Sequence, residues 1–324
     1  MSKVKEPQKP LFSVIIPLYN KAPYIKRAID SVLSQTITDF EIIIVGGKST
    51  DGGEQIVLSY TDSRIKLIQE TGAGVSAARN QGVGEAKAEL MAFLDSDDEW
   101  MPDFLETVLK LYNIYPHAGL YGVGYEMISV QTGSRKTCSL QNYNDLCCLS
   151  NFFEIVNHDF GGWMFILTSA MVIPKQVYLE VGGFPLNYHQ HEDRCIRAKI
   201  ALKYPVAYSP RVSARYYHDI RTYEGRSSKY LVDPFTDYLE NNPDVLHGSD
   251  DADDVIEFSD MAKLGMAIMN LKSGQDRKKI RQSVKSVKTS ALFMKKSLIY
   301  IATYVSGFII EKMIGLYWYR KYSW

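Results

Sequence analysis

Asp95-Ser96-Asp97-Asp98 sets three carboxylates within four residues, directly behind the apolar run from Leu90 to Leu94. Like charges this close repel one another, and burying them unpaired is costly, so the segment needs a cation or a solvated turn. An oxygen-only donor set suits a hard ion such as Mg2+ or Mn2+, which takes one or two carboxylates and fills other positions with substrate phosphate oxygens. A diphosphate-bearing substrate is the natural inference. The plainer alternative is an acidic loop capping the helix expected from Pro102 to Tyr115.

A second acid pair, Glu192-Asp193, opens a helix expected over residues 192–203. A helix N-terminus favours the ionised carboxylate, so Asp193 is able to accept a proton from a hydroxyl. Taken alone, this is also ordinary capping chemistry. His218 could complete a metal site or contact phosphate, and Trp100 and Trp163 could stack on sugar faces; a structural histidine and packing aromatics are the alternatives. Gly72-x-Gly74-x-x-Ala77, followed by Asp95, copies the dinucleotide fingerprint of nicotinamide oxidoreductases. The copy falls in the third strand–helix unit rather than the first, and no G-x-x-x-x-G-K-[ST] phosphate loop occurs.

The elements that must hold these groups alternate. Short apolar runs at Phe12–Ile16, Phe40–Val45, Ile65–Ile68 and Leu90–Leu94 read as buried strands. Between them, Tyr24, Ile25, Ala28, Ile29, Val32 and Leu33 recur at helical spacing, Ser49-Thr50-Asp51 caps a second helix, and a third is expected from Val75 to Ala88. Such alternation implies a mainly parallel sheet covered by helices, because parallel neighbours need crossover connections. Ligands bind such sheets beyond the carboxyl ends of the strands, where each polar cluster falls. Further strands are expected at Leu120–Val130, Ser169–Ile173 and Arg211–Tyr217, and helical segments beyond Tyr230. Asp250 to Asp254 reads as a solvated loop or helix start.

Together these segments resemble the family 2 glycosyltransferases of the GT-A fold. S-V-I-I-P-L-Y-N (Ser13–Asn20) is similar to the family's opening strand and nucleotide-binding turn, and V-S-A-A-R-N (Val75–Asn80) to its helix behind the nucleotide. F-L-D-S-D-D (Phe93–Asp98) resembles its D-x-D metal and diphosphate motif. G-G-F-P followed by H-E-D (Gly182–Asp193) looks like the acceptor-side segment with the catalytic base. Order and spacing agree over about residues 10–220.

The resemblance implies an α/β GT-A nucleotide-diphospho-sugar transferase fold, a mainly parallel sheet with helices on both faces, plus a C-terminal helical extension. It implies a metal-dependent inverting hexosyltransferase that moves a sugar from a nucleotide-diphosphate donor to a hydroxyl of a glycan or lipid-linked acceptor. Asp97 would coordinate Mg2+ or Mn2+, with Asp95 on the ribose or in the ion's shell and His218 as a further ligand. Pro17 and Tyr19 would line the base pocket. Asn20, Gly47, Asp51, Gly74, Arg79 and Ser96 would complete the nucleotide-sugar site. Asp193 would be the general base, with Glu192 and Trp163 on the acceptor side. One departure stands out: the family usually carries two aspartates where this chain has Gly46-Gly47, and one of them typically reads the nucleobase. Backbone groups with Asp51, a different donor nucleotide, or weak donor binding would each account for it. A GT-A domain that has lost turnover and serves as a binding or scaffold module is the rival reading.

The 324 residues carry 37 basic and 37 acidic side chains, a formal net charge of zero. The distribution is uneven. From Lys272 onward there are twelve bases and two acids, a net of +10, and residues 1–271 carry −10. A charged fraction of 23% with 12% aromatics is too apolar for a disordered chain. Four cysteines without a C-x-x-C pair suggest neither a disulfide framework nor a zinc knuckle, and the polar N-terminus lacks the apolar core of a secretory signal. A cytoplasmic setting is expected. Ser297–Ile310 is uncharged for 14 residues, short of the roughly 20 that a spanning helix needs. With Met313–Tyr319 and the flanking bases it reads as an interfacial anchor on the anionic cytoplasmic face of a membrane. Packing on the body and a homo-oligomer contact are the alternatives, and no nucleic-acid motif accompanies the charge. The expected organisation is a polar segment (1–10), a catalytic domain (11–230, with a nucleotide half 11–98 and an acceptor half 99–230), an acidic helical connector (231–271) and a basic amphipathic tail (272–324).

Overall fold

The computed structural model describes residues 9–140, 143, 145–158, 165–188, 190–218 and 231–304. Its packing separates two compact units, one of residues 1–152, 164–186 and 196–220, the other of residues 153–163, 187–195 and 221–324. The first unit contains one ten-stranded sheet. In chain order its elements are β1 (Phe12–Pro17), α1 (Ala22–Leu33), β2 (Phe40–Gly46), α2 (Gly53–Leu58), β3 (Ile65–Gln69), α3 (Val75–Glu85), β4 (Leu90–Phe93), β5 (Glu99–Trp100), α4 (Phe104–Ile114), β6 (Leu120–Ser129), β7 (Arg135–Cys138) and β8 (Cys147–Leu149). After α5 (Phe152–His158), which straddles the boundary, follow β9 (Met171–Pro174), α6 (Lys175–Glu180), α7 (Glu192–Ala201), divided between the units after Cys195, and β10 (Val206–His218).

The strand order is β3-β2-β1-β4-β9-β6-β10-β5, with β7 on β6 and β8 on β10. The first four strands are mutually parallel, as their continuous apolar sequences require, and β6 and β10 form a second parallel pair. β9 runs antiparallel to both β4 and β6, so the sheet is mixed at its centre.

Side chains alternate across a strand, and the alternation assigns each helix its face. Val14, Ile16, Ile42 and Ile44 pack with Ile25, Ile29 and Val32 of α1. Ile15 and Val45 point the other way, where α3 comes so close that a Cβ on Gly82 would lie 2.5 Å from Ile15 Cγ2. Both faces of the parallel half are therefore covered. Register aligns Pro17 with Val45, Val45 with Ile68 and Ile15 with Phe93. The turns after β1, β2, β3 and β4 thus share the carboxyl edge of the sheet.

Two strands differ from expectation for identifiable reasons. β10 starts five residues before the expected Arg211, and its ladder shifts register between Ser209 and Val212 because Pro210 has no N–H to donate. The expected Ser169–Ile173 strand begins instead as a 3-10 turn at Thr168–Ala170.

The second unit contains α8 (Pro234–Asn241), α9 (Ala252–Lys272), α10 (Arg277–Lys285) and α11 (Phe293–Ala302). Asp251 is the N-cap of α9 and Asp253 and Asp254 lie in its first turn, so the acidic segment opens a helix whose dipole favours it. Leu264, Ala267 and Leu271 of α9 bury against Ile280 and Val284 of α10 and Ile299 and Ala302 of α11. Among the described residues no helix is long and apolar enough to cross a membrane. The apolar run 313–319 lies outside the described residues, as does Trp163.

Candidate active site

The turn after β4 carries the three clustered aspartates, and the fold gives each a different partner. Asp95 Oδ1 accepts from Arg79 Nη2 at 2.6 Å, and its own N–H donates to Ser169 Oγ at 3.1 Å. Asp97 Oδ2 accepts from Lys21 Nζ at 2.5 Å, while Arg27 donates to the Asp97 carbonyl. Asp98 turns inward and is buried, accepting from Ser169 Oγ at 2.5 Å and from the Tyr217 N–H at 3.1 Å. Burial, followed by the charges of Asp95 and Asp97, pushes the Asp98 carboxyl well above the usual range despite those two hydrogen bonds. Asp98 therefore belongs to the core of the turn. Ser96 is also buried.

Asp95 and Asp97 remain about 30% exposed. Asp95 Oδ2 and Asp97 Oδ1 have no hydrogen-bond partner among the described residues. This pair would fit a hard divalent ion, since the donors are oxygens and each carboxylate keeps one oxygen without a partner among the described residues. Among the described residues no group of three or more His, Cys, Asp or Glu side chains is arranged to hold a metal ion. Among the described residues, the ligands that the protein would supply are Asp95 and Asp97. His218 does not form such a group with them; it ends β10 opposite Ser129, its ring 6.1 Å from that of Tyr216.

On the same carboxyl edge is a cavity of about 320 Å³ lined by Pro17, Leu18, Tyr19, Val45, Lys48, Glu70, Ala73, Gly74, Val75 and Ala78. Ala78 precedes Arg79, so one turn of α3 joins the cavity wall to Asp95. Gly74 is the N-cap of α3 at φ +85°, with open space where a Cβ would sit. Pro17, Tyr19 and Gly74 thus line this cavity, and Arg79 reaches from α3 to Asp95.

Asn20 and Asp51 accept hydrogen bonds from the backbone of the neighbouring turns. Asn20, at φ +49°, accepts from Thr50 N at 2.9 Å, and Asp51 accepts from Ala22 N at 2.8 Å and Gly53 N at 3.1 Å. They tie the β1 and β2 turns together. Glu54 accepts from the N–H groups of Gly47 (2.7 Å) and Ser49 (3.0 Å). Burial would raise its carboxyl, but backbone donors at Ser49, Glu54 and Gly47 outweigh that and hold it below the usual range. Trp100, a candidate sugar platform, is buried instead, stacked 4.0 Å from Phe104 with its indole N–H donating to Ser169 O.

The V-S-A-A-R-N and G-G-F segments prove to be one joint. Asn80 Nδ2 donates to Phe184 O at 2.9 Å, its Oδ1 accepts from Phe184 N at 3.0 Å, and Arg79 lies over the Phe184 ring. Gly182 and Gly183 take positive φ to make this turn. In the second unit, Glu192 and Asp193 open α7, and Asp193 Oδ1 accepts from Arg194 N at 2.7 Å. His191, at φ +63°, shares the buried Asp233 with Arg194: His191 Nδ1 is 2.9 Å and Arg194 Nη1 3.0 Å from Asp233 Oδ2.

Sequence reasoning missed Lys21, Lys48, Glu70, Ser169 and Tyr217. Lys21 and Lys48 were visible as the basic residues nearest two of the motif turns, whereas nothing in the spacing links Ser169 or Tyr217 to Asp98.

The family described as glycosyl transferase family 2 matches residues 13–167. The amylovoran biosynthesis glycosyltransferase AmsB of Erwinia amylovora is 32% identical over 235 residues, which are 68% of this chain and 75% of AmsB. The chain belongs to glycosyl transferase family 2. An uncharacterized glycosyltransferase of Nostoc sp. is 30% identical over 188 residues, 57% of either chain, so the match spans little more than half of that relative. The fold of this family 2 transferase is also that of S. aureus TarS residues 1–349, solved in complex with UDP-GlcNAc: TM-score 0.67, 20% identity, 96% of this chain and 92% of that one covered.

Proposed function

We propose that this family 2 enzyme transfers a sugar, with inversion, from a uridine diphosphate sugar to a hydroxyl of a glycan or lipid-linked acceptor in polysaccharide assembly. The observation that carries the reading is the pairing of a nucleoside-sized cavity with the Asp95/Asp97 turn on the carboxyl edge of a parallel sheet. TarS holding UDP-GlcNAc and AmsB being named for amylovoran biosynthesis support the donor and the setting.

Asp97 and Asp95 would hold Mg2+ or Mn2+. Such an ion neutralises the negative charge that develops on a leaving diphosphate. Lys21, Arg79 and Arg27 add fixed positive charge around the same turn. Asp193 accepts the proton of the acceptor hydroxyl as its oxygen bonds to the anomeric carbon on the face opposite the breaking bond to the diphosphate. Orientation of the two substrates supplies much of the rest.

The enzyme works at the cytoplasmic face of an anionic membrane, held by its basic C-terminal part. Support comes from α11 and the residues just after it, where Phe293, Met294, Ile301 and Tyr304 are all more than half exposed, beside Lys285, Lys295 and Lys296.

Calorimetric titration of UDP with and without Mn2+ tests the donor reading. Metal-dependent binding is expected. A chain that binds no nucleoside diphosphate under either condition is not this transferase.

A further inference from the structure

Gly46-Gly47 removes the acids with which the resembled family reads a base, and the backbone shows that the position is built for glycine. Gly47 has φ +116°, and a Cβ there would fall 2.1 Å from Gln69 Nε2. An aspartate would need a left-handed backbone and a displaced Gln69.

The carboxylate in the cavity comes from the neighbouring strand. Glu70 directly follows β3, and its N–H donates to Gly46 O at 2.5 Å, which fixes it beside the two glycines. Its side chain is 8% exposed, although its neighbours in the cavity wall are mostly apolar. Lys48 Nζ lies 3.7 Å from Glu70 Oε1 and is anchored by donating to Gly72 O. The cavity therefore presents one side chain that can only accept and one that can only donate, set between Pro17, Leu18, Val45 and Ala78. A flat ring with an N–H beside a carbonyl satisfies both. Uracil offers its N3–H to the carboxylate and a flanking carbonyl to the ammonium. Cytosine held in the same position would turn the N3 lone pair toward the carboxylate, which is unfavourable.

We propose that Glu70, together with Lys48, reads the donor's base in place of the acids absent at Gly46-Gly47 and selects uracil. The proposal rests on the uridine diphosphate reading above and adds to it the residues that read the base.

Titration calorimetry with Mn2+ and three probes, UDP, CDP and N3-methyl-UDP, separates the two. The wild type should bind UDP at least about tenfold more tightly than either analogue, the scale of one hydrogen bond to a charged group. In Glu70→Gln the carboxamide can turn either an acceptor or a donor to the ring, so UDP and CDP should approach parity. Lys48→Met should weaken UDP about tenfold and narrow the same ratio; it carries the test if Glu70→Gln does not fold. Wild-type discrimination retained in both folded variants, or a wild type that prefers CDP or N3-methyl-UDP, overturns the assignment. Equal weakening of all three probes would make Glu70 a prop for the Lys48 loop and also overturns it. A wild type that binds none of the three removes the donor reading itself.

Discussion

Neighbouring acids of one turn are sorted by what reaches them. Asp98 is shielded by Ser169 and Tyr217, and Asp95 and Asp97 face cations while keeping one oxygen each without a partner among the described residues. Asp97→Asn should therefore weaken Mn2+-supported UDP binding by about tenfold or more, the cost of one charged ligand interaction, while Asp98→Asn should act mainly on stability. Calorimetry of the two variants against thermal melting decides between these roles. Asp193→Asn should lower kcat by about 10²–10⁴-fold, the contribution of a general base, with the affinity for UDP unchanged. A variant that loses donor binding in the same proportion would place Asp193 in the donor site instead.

At the level of elements, the parallel half was legible because its strands are buried on both faces and so appear as unbroken apolar runs. Phe12–Pro17 and Phe40–Gly46 emerge within a residue of where hydrophobic patterning put them. The antiparallel insertion of β9 between β4 and β6 was not legible, since a four-residue strand carries no mark of its neighbours. Nor was Glu70, whose meaning depends on Gly46 lying across the ladder. The same applies to α3, which has almost no apolar stripe because small residues bring it down on β1. Gly82→Leu should therefore cost about 1–3 kcal/mol by overpacking against Ile15. Asn80→Ala, which leaves both polar groups of Phe184 without a partner they now have, should cost a similar amount, about 1–3 kcal/mol. Chemical denaturation of each variant measures these losses.

Over the whole molecule, zero net charge conceals an acidic body and a basic end, and the helices of the second unit explain how that end is built. Removing residues 272–324 would strip α9 of the apolar partners supplied by α10 and α11, so truncation confounds folding with membrane attachment. Substitution of the exposed face avoids this. Phe293→Ser with Met294→Ser and Ile301→Ser should reduce co-sedimentation with phosphatidylserine vesicles and leave the melting temperature unchanged, and undiminished sedimentation would remove α11 as an anchor. The unit's stability has its own acidic control in Asp233, which is buried. Burial alone would raise its carboxyl, but Arg194, then His191 and the Thr236 N–H, pull it far below the usual range. A carboxyl depressed on folding stabilises fully above its unfolded pKa of about 3.9 and loses that contribution as pH falls toward the folded value. Asp233→Ala removes the carboxylate paired with the buried Arg194 guanidinium, a loss of about 3–5 kcal/mol. Denaturation from pH 7 downward should show that deficit constant to about pH 4 and shrinking below it. A deficit that grew on acidification would mean that Asp233 is protonated in the folded chain, and that Arg194 is held by other partners.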